Sequence, residues 1–324
     1  MFRWVALVLM GGVRVLAAEA EPPLTPVRLA LQWLPQSQFA GFYMACEQGF
    51  YREAGLDVAL VHTGPGPSSL DFLAAGRADF ATLFLADAVA HAHEPVPLAH
   101  IAQLLRRSNL MLVGWKDRGI ERAADLDGKR VSYWPGAFSV TFTAFFRKHD
   151  IHPEVRPQHY TVNLFLHRGV DACAAMTYNE FHRIYQAGID YDRLTVFLMR
   201  DYGLGFPEDG LYTTADMAAR KPELCRSLRR ATLAGWDYAR RHPEEALDAV
   251  LRESRRGSVP ANRPHSRWML EHVLASVFPS DDDGVPGRLD RRTYREAVAA
   301  ITAAGLVDDA PPFEQFAPIP WKSP

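Results

Sequence analysis

The chain has 324 residues, of which 36 are Lys or Arg and 38 are Asp or Glu, so its formal net charge at pH 7 is −2. This near-neutral balance disfavours a nucleic-acid partner or an anionic membrane surface. Its three cysteines, Cys46, Cys173 and Cys225, form neither a CxxC pair nor a His/Cys cluster, which disfavours a disulfide framework and a zinc site. A small neutral or zwitterionic ligand fits this composition.

The first 20 residues are typical of a secretory signal peptide. Arg3 supplies a positive charge, an apolar run extends from Trp4 to Val13, and the small residues Ala18 and Ala20 fit a cleavage site after Ala20. The apolar run is about half as long as the roughly 20 residues of a membrane-spanning helix. We therefore expect a protein released into the periplasm without a lipid anchor, and a retained membrane anchor is the alternative.

In chain order, alternating apolar residues from Val27 to Trp33 predict the first strand, which Pro35 ends. A helix from about Phe39 to Ala54 follows, and Gly55 is placed to end it. Strand and helix patterns then alternate, which is typical of parallel α/β units. The next predicted elements are a strand at 56–61, a Ser-capped helix that ends at Gly76, a strand at 78–84, a helix through residue 91, and two strands in "PLAHIAQLL" and "LMLVGW".

A charged connection at 116–129 precedes a second α/β series, which begins at Arg130 and has strands in "RVSYW", "VRPQHY", "DACAAMT" and "LTVFLM". After Gly210 the pattern changes to long amphipathic helices, and no further strand series is predicted. The chain would cross between two α/β lobes near 113–116 and again near 209–213. We expect a hinged cleft between lobe I, residues 21–113 with 211–324, and lobe II, residues 114–210.

Open α/β sheets bind ligands beyond the carboxyl ends of their strands, so the residues at these positions are candidates for the site. Trp33 follows the first strand and could either stack on a ligand or cover the core. Tyr178, Asn179 and Glu180 follow an apolar strand and could stack on a flat ring and hydrogen-bond its polar edge. The alternative is that Asn179 caps the next helix and Glu180 favours its positive end.

Two loops with small residues, "HTGPGPSS" and "WPGAFSV", precede predicted helices. Backbone N–H groups there could bind an anionic or polar group at Ser68, Ser69 or Ser139, although Gly and Pro are also ordinary turn residues. The sequence contains no GxSxG or HExxH motif and no cysteine with a plausible His partner. The HxH pair of His91 and His93 would point to different faces of a helix. We therefore predict no catalytic residue, metal site or cofactor.

Several stretches resemble the family that contains bacterial solute-binding proteins for thiamine-precursor pyrimidines and the yeast-type thiamine pyrimidine synthases. They are "LQWLP", "QFAGFYMA", "GFYREAGLDV", "GRADFA", "LDGKRVSYWPGAF", "GVDACAAMTYNE" and "DYGLGFPEDGLYTT". The resemblance covers about Val27 to Gly305 and implies a type II periplasmic-binding fold that closes a ligand between two lobes. Relatives in this family also bind sulfonates or riboflavin-like rings, or act as sensor domains.

Individual residues match the family's pattern. Trp33 is similar to the tryptophan after the family's first strand, and Tyr178 with Glu180 is similar to the pair that holds a pyrimidine. Gly136 and Ser139 lie in the family's glycine loop. The resemblance thus implies an aromatic, pyrimidine-like ligand.

The sequence departs from the synthase branch of the family at its reactive positions. That branch has a lysine that binds pyridoxal phosphate, a histidine four residues later and a cysteine cluster. Leu83 and Asp87 occupy the first two positions, and "DYGLGFPEDG" contains no cysteine. These departures imply a protein that is not an enzyme.

We therefore expect a monomeric periplasmic solute-binding protein that delivers an aminopyrimidine to an ABC transporter permease in the inner membrane. A thiamine pyrimidine synthase and a periplasmic sensor acting on a membrane kinase or cyclase are the alternatives. The predicted ligand-binding residues are Trp33, Gln38, Ser68, Phe84, Gly136, Ser139, Tyr178, Asn179, Glu180 and Asp209.

Overall fold

The structure is a computed structural model that describes residues 23–64, 66–92, 96–280 and 284–321. The predicted signal peptide, residues 1–20, lies outside these ranges, as does His93. Within the ranges, no helix combines the length and the apolar character needed to cross a bilayer.

The first part of the chain forms most of a five-stranded sheet, the first sheet. Its elements are β1 (Thr25–Leu31), α1 (Ala40–Glu47), α2 (Phe50–Glu53), β2 (Leu56–His62), α3 (Ser69–Ala74), β3 (Phe80–Leu83), α4 (Leu85–Ala90) and β4 (Leu98–Leu105). The fifth strand is β10 (Glu208–Thr214), and the strand order is β2-β1-β3-β10-β4. β1 is parallel to β2 and β3, whereas β10 is antiparallel to both of its neighbours.

The middle of the chain forms a second five-stranded sheet, the second sheet. Its elements are β5 (Leu110–Trp115), β6 (Arg130–Tyr133), α5 (Val140–Lys148), β7 (Glu154–Pro157), α6 (Asn163–Leu166), β8 (Ala172–Met176), α7 (Glu180–Gln186) and β9 (Leu194–Leu198). The strand order is β7-β6-β8-β5-β9, and β5 is antiparallel to β8 and β9. In each sheet, therefore, the antiparallel strand is the first one that the chain forms after crossing.

The chain passes from the first sheet to the second after β4 and returns before β10. The boundaries predicted after residues 113 and 210 fall inside β5 and β10, although each strand belongs to one sheet. We therefore propose that the lobes divide at 106–109 and 199–207, a few residues earlier than the sequence pattern suggests.

Long helices complete the first sheet's side of the molecule. They are α8 (Ala215–Arg220), α9 (Pro222–Arg241), α10 (Pro243–Arg256), α11 (Arg263–Val277), α12 (Arg291–Ala303) and α13 (Phe313–Phe316). α1 and α9 pack so closely that no side chain fits at two positions of their interface. A Cβ atom on Gly41 would clash with the Trp236 ring, and one on Gly235 would clash with the Gly41 carbonyl. Glycine at both positions is what allows this helix pair to hold one face of the core.

The predicted α/β alternation is confirmed, and three local predictions are wrong. The helix predicted at 39–54 is two helices, because Gly49 takes a left-handed φ of 77° between them. β1 ends at Leu31, so Trp33 lies two residues beyond the strand. β10 was not predicted, because it begins with the polar residues Glu208 and Asp209, which are buried between two neighbouring strands.

Candidate ligand-binding site

A small cavity lies between the two sheets where several strands end, and we call it the aromatic pocket. Segments following β1 and β3 form one wall, and segments following β6 and β8 form the other. Its lining residues are Trp33, Gln36, Gln38, Phe84, Trp134, Phe138, Met176, Tyr178, Asn179 and Glu180. It holds only about 30 Å³ of free space, room for one or two water molecules. A ring-shaped ligand therefore requires these side chains to move apart.

Aromatic rings from both sides fill the pocket. The Trp33 ring, from the first sheet's side, lies 6.3 Å from Trp134 and 5.6 Å from Phe138, centroid to centroid. Phe138 also lies 5.2 Å from Phe84. All three contacts are edge-to-face, the geometry that the charge distribution of aromatic rings favours. The same rings could accept a flat aromatic ligand without exposing new apolar surface to water.

Trp33 is held at the mouth of the pocket by its backbone. The Nδ1–H group of His62 donates to the Trp33 carbonyl at 2.7 Å, and burial lowers the pKa of His62 to about 4. His62 is thus neutral near pH 7 and acts as a fixed donor. The indole itself is only half-buried, which suits a side chain that faces the cleft.

Glu180 is the buried carboxylate of the pocket, with 2% of its surface exposed. Its Oε2 accepts a hydrogen bond from the Met176 backbone N–H at 3.0 Å, and its Oε1 accepts one from Asn179 Nδ2 at 2.8 Å. Burial raises the pKa of this carboxyl to about 7, although hydrogen bonds from the Met176 and Glu180 backbone N–H groups and the charge of Arg183 act in the opposite direction. The carboxyl can still accept a further hydrogen bond from a ligand, and when it is protonated it can also donate one.

A chain of hydrogen-bonded amide and carboxyl groups connects the polar side chains of the pocket to Asp209. Asn179 Nδ2 lies 3.4 Å from Gln36 Oε1, and Gln36 Nε2 donates to Gln38 Oε1 at 2.5 Å. Gln38 Nε2 in turn donates to both oxygens of Asp209, at 2.9 and 2.8 Å, and Gln32 donates to one of them. Asp209 is fully buried, does not line the aromatic pocket and fixes Gln38, and its role as a direct ligand contact stays a prediction.

A larger cavity of about 870 Å³, the outer cleft, adjoins the aromatic pocket and shares Trp33, Trp134 and Phe138 with it. Ser68, Gly136 and Ser139 line this cleft and not the pocket. Ser68 caps α3 through hydrogen bonds with Asp71, and Ser139 Oγ donates to the Gly136 carbonyl at 2.7 Å. Both hydroxyls therefore have local partners, and the structure separates these three residues from Tyr178, Asn179 and Glu180.

Charge is sparse along both cavities. Among the described residues that line them, there is no Lys or Arg, and the acidic groups are Asp71 and Glu180. Nor do the described residues include a group of three or more His, Cys, Asp or Glu that could hold a metal ion. Leu83 and Asp87, at the positions of the synthase lysine and histidine, are both buried.

Four pocket residues were not among the predicted ligand-binding residues: Gln36, Trp134, Phe138 and Met176. Trp134 and Phe138 flank the glycine loop "WPGAFSV", whose small residues suggested only backbone contacts. The signal that could have found them is the pair of aromatic residues on either side of that glycine, directly after a strand.

Residues 36–246 match the sequence profile of a family described as NMT1/THI5 like. The chain belongs to this family. Among the proteins similar to this chain, a formylaminopyrimidine-binding protein from Halalkalibacterium halodurans is 21% identical over 308 residues, which cover 92% of this chain and 91% of the relative. The riboflavin-binding protein RibY from Chloroflexus aurantiacus is 23% identical over 72% of this chain and 68% of the relative.

Solved structures show the same fold. The periplasmic aliphatic sulphonate binding protein SsuA from Escherichia coli superposes with a TM-score of 0.65 at 12% identity, over 90% of this chain and 97% of that one. The family resemblance and the periplasmic-binding fold expected from the sequence are both confirmed.

Proposed function

We propose that this NMT1/THI5-like protein is a periplasmic solute-binding protein of an ABC importer and that its ligand is an aminopyrimidine. The observation that carries the proposal is Glu180, a buried carboxyl that lines the aromatic pocket and accepts hydrogen bonds from the Met176 backbone and the Asn179 amide. The relative from Halalkalibacterium halodurans, named for formylaminopyrimidine binding, supports the ligand class.

The donors and acceptors of the pocket favour a ring with an amidine edge, that is, an exocyclic amine next to a ring nitrogen. Glu180 can accept a hydrogen bond from the exocyclic amine through one oxygen, and its other oxygen pairs with the ring nitrogen when a proton lies between the two. The raised pKa of the carboxyl, about 7, favours a proton at this position. Such a ring could stack against Trp33 and Tyr178 while the amide of Asn179 keeps Glu180 in place. A flavin presents carbonyl acceptors on its pyrimidine edge and so fits a carboxylate less well.

The charge of the cavities favours a neutral or cationic ligand over an anionic one. Phosphates and sulfonates are usually bound by Arg or Lys, and no described residue of either type lines the pocket or the outer cleft. The undescribed residues nearby in sequence, 65 and 93–95, are also neither Lys nor Arg. This supports an unphosphorylated pyrimidine as the ligand.

The remaining parts of the proposal concern location and partners. The apolar N-terminal segment and the periplasmic structural neighbour support export to the periplasm and a permease in the inner membrane as the partner. We expect the protein to act as a monomer. Leu83 and Asp87 support a binding function over synthase chemistry. Leu83 cannot form the imine that the synthase lysine forms, and Asp87 cannot replace the reactive histidine.

A thermal-shift panel tests the ligand class. At a concentration 100 times its dissociation constant, formylaminopyrimidine should stabilise the protein by about 2.7 kcal/mol. The phosphate ester of hydroxymethyl aminopyrimidine and an alkanesulfonate, at the same concentration, should give little or no shift. A shift with the sulfonate and none with the unphosphorylated pyrimidines would contradict the proposal.

Replacement of Trp33 should separate binding from folding. We expect W33A to weaken pyrimidine binding by about 10- to 100-fold, because it removes one aromatic wall of the pocket. Its free energy of unfolding should fall by only about 1 kcal/mol, since the indole is half-buried. Calorimetric titration and denaturant unfolding measure the two effects.

Trp236 provides the matched control because its indole is fully buried between α1 and α9, away from the pocket. W236A should lower the free energy of unfolding by about 3–5 kcal/mol and leave the ligand affinity of the folded protein nearly unchanged. If W33A instead lost stability and kept its affinity, Trp33 would be a core residue and not a ligand contact.

A further inference from the structure

Two histidines meet across the cleft next to the aromatic pocket. His182 lies on α7, on the second sheet's side, and His265 lies at the start of α11, on the first sheet's side. Their Nδ1 atoms are 2.9 Å apart. The His182 ring also stacks on Trp268 of α11, with the centroids 4.5 Å apart. Neither histidine lines the pocket, and no role in the proposed function has been assigned to them so far.

His265 also contacts a pocket residue directly. Its Nε2 lies 3.0 Å from Asn179 Oδ1, and Arg183 Nε lies 2.9 Å from the same oxygen. An arginine can only donate, so the atom it contacts is the amide oxygen, and the Asn179 NH₂ group must point to Glu180. Two donors from two different elements therefore fix the orientation of the amide that holds Glu180.

These contacts determine the positions of the protons on both rings. His265 must carry a proton on Nε2 to donate to Asn179, so in the neutral ring its Nδ1 is an acceptor. His182 must then carry a proton on Nδ1 and donate it to His265. Burial, with the nearby charge of Arg183, lowers the pKa of His265 to about 3, in keeping with a neutral ring. The hydrogen bonds thus run in one direction, from His182 through His265 to Asn179.

We propose that His182 and His265 form a clasp between the lobes that positions Asn179 against Glu180 and so couples ligand recognition to closure of the cleft. The inference rests on the proposed function for its ligand. The part of the clasp that holds the lobes together does not depend on any ligand. When the lobes separate, Asn179 loses the His265 donor and keeps only Arg183, so the amide that orients Glu180 is fully fixed only in the closed arrangement.

Four variants test the clasp. H265F keeps an aromatic ring and removes both nitrogens, and H182F keeps the ring stacked on Trp268 and removes the donor. H265Q restores a donor and an acceptor through its amide. H272F is the control, since the His272 ring also packs on Trp268, tilted and with the centroids 4.1 Å apart, and its Nδ1 bonds the Trp268 carbonyl.

Two measurements are made on each variant. We expect H265F to weaken formylaminopyrimidine binding by about 10-fold and H182F by about 3- to 10-fold, whereas H265Q and H272F stay within about 3-fold of the wild type. Small-angle X-ray scattering without ligand should give a larger radius of gyration for H265F and H182F than for H272F and the wild type. Rescue by H265Q is the result that a merely structural role for the ring would not produce.

A failure of the proposed function can be distinguished from a failure of the clasp. If the wild type binds no pyrimidine, the proposed function fails, and the scattering comparison still tests the clasp. If H265F and H272F give the same scattering and the same affinity, or lose affinity equally, the clasp is wrong. Should H265F fail to fold by circular dichroism, H182F, whose side chain is partly exposed, carries the same comparison.

Discussion

We expect E180Q to weaken aminopyrimidine binding by at least about 100-fold. The substitution keeps the size of the side chain and replaces one acceptor oxygen with an NH₂ donor. In either orientation that NH₂ group would face a group that now donates to Glu180, the Asn179 amide at 2.8 Å or the Met176 backbone N–H at 3.0 Å. A buried donor without an acceptor costs about 1–3 kcal/mol, and the lost charge-assisted hydrogen bond adds a similar amount. Calorimetric titration of wild type and E180Q with the aminopyrimidine gives the ratio of their dissociation constants.

Glu208 provides a control for the loss of a buried carboxylate as such. It is as buried as Glu180, and burial likewise raises its pKa to about 7. Its oxygens accept from Ser108 Oγ and from the backbone and side chain of Asn109, at the first crossing, and it lines neither cavity. E208Q should therefore weaken binding far less than E180Q. Equal losses in the two variants, or a loss below about 5-fold in E180Q, would remove Glu180 from the ligand's contacts.

The parts of the site that could be predicted from the sequence are those that depend on neighbours in the chain. Tyr178, Asn179 and Glu180 follow β8 at once, so the rule that ligands bind beyond strand ends found them. Trp33 was found in the same way, although β1 ends two residues earlier than predicted. In each case the residue's position relative to one strand was enough.

The parts that could not be predicted depend on how the two lobes meet. His265 contacts Asn179 although the two residues are 86 positions apart, and an amphipathic helix pattern does not show which residue will face the other lobe. Phe138 lies among Trp33 and Phe84 only because the glycine loop of the second sheet reaches across the cleft. Asp209 was predicted as a ligand contact because its segment was expected to line the cleft, and its burial in β10 became visible only with the sheet order.

Glu180 and Glu208 should also make the ligand-free protein less stable as the pH rises. Burial raises the pKa of each to about 7 from an ordinary value of 4.5, so the folded state holds these protons to higher pH than the unfolded chain does. The stabilising contribution is fully present below about pH 4.5 and is lost as the pH rises through about 7. At 1.36 kcal/mol for each pH unit of displacement, each group contributes about 3 kcal/mol.

The buried histidines act in the opposite direction, so the pH profile of the wild type alone does not isolate the glutamates. Burial lowers the pKa of His62 to about 4 and that of His100 and His265 to about 3. Their contribution is present above about pH 6.5, the ordinary value, and is lost as the pH falls toward these lower values. In the difference between wild type and E180Q the histidine contributions cancel, because both proteins contain all three.

The measurement is therefore the free energy of unfolding of wild type, E180Q and E208Q between pH 4.5 and 8, by denaturant titration without ligand. Relative to the wild type, each variant should gain about 3 kcal/mol over this range, with most of the change below pH 7. Q36A alters the pocket without removing an ionisable group, so its free energy of unfolding should change with pH in the same way as that of the wild type. A parallel line for E180Q would mean that the pKa of the Glu180 carboxyl in the folded protein lies at or below its ordinary value of 4.5, and the pocket would then have to stabilise the carboxylate charge before any ligand arrives.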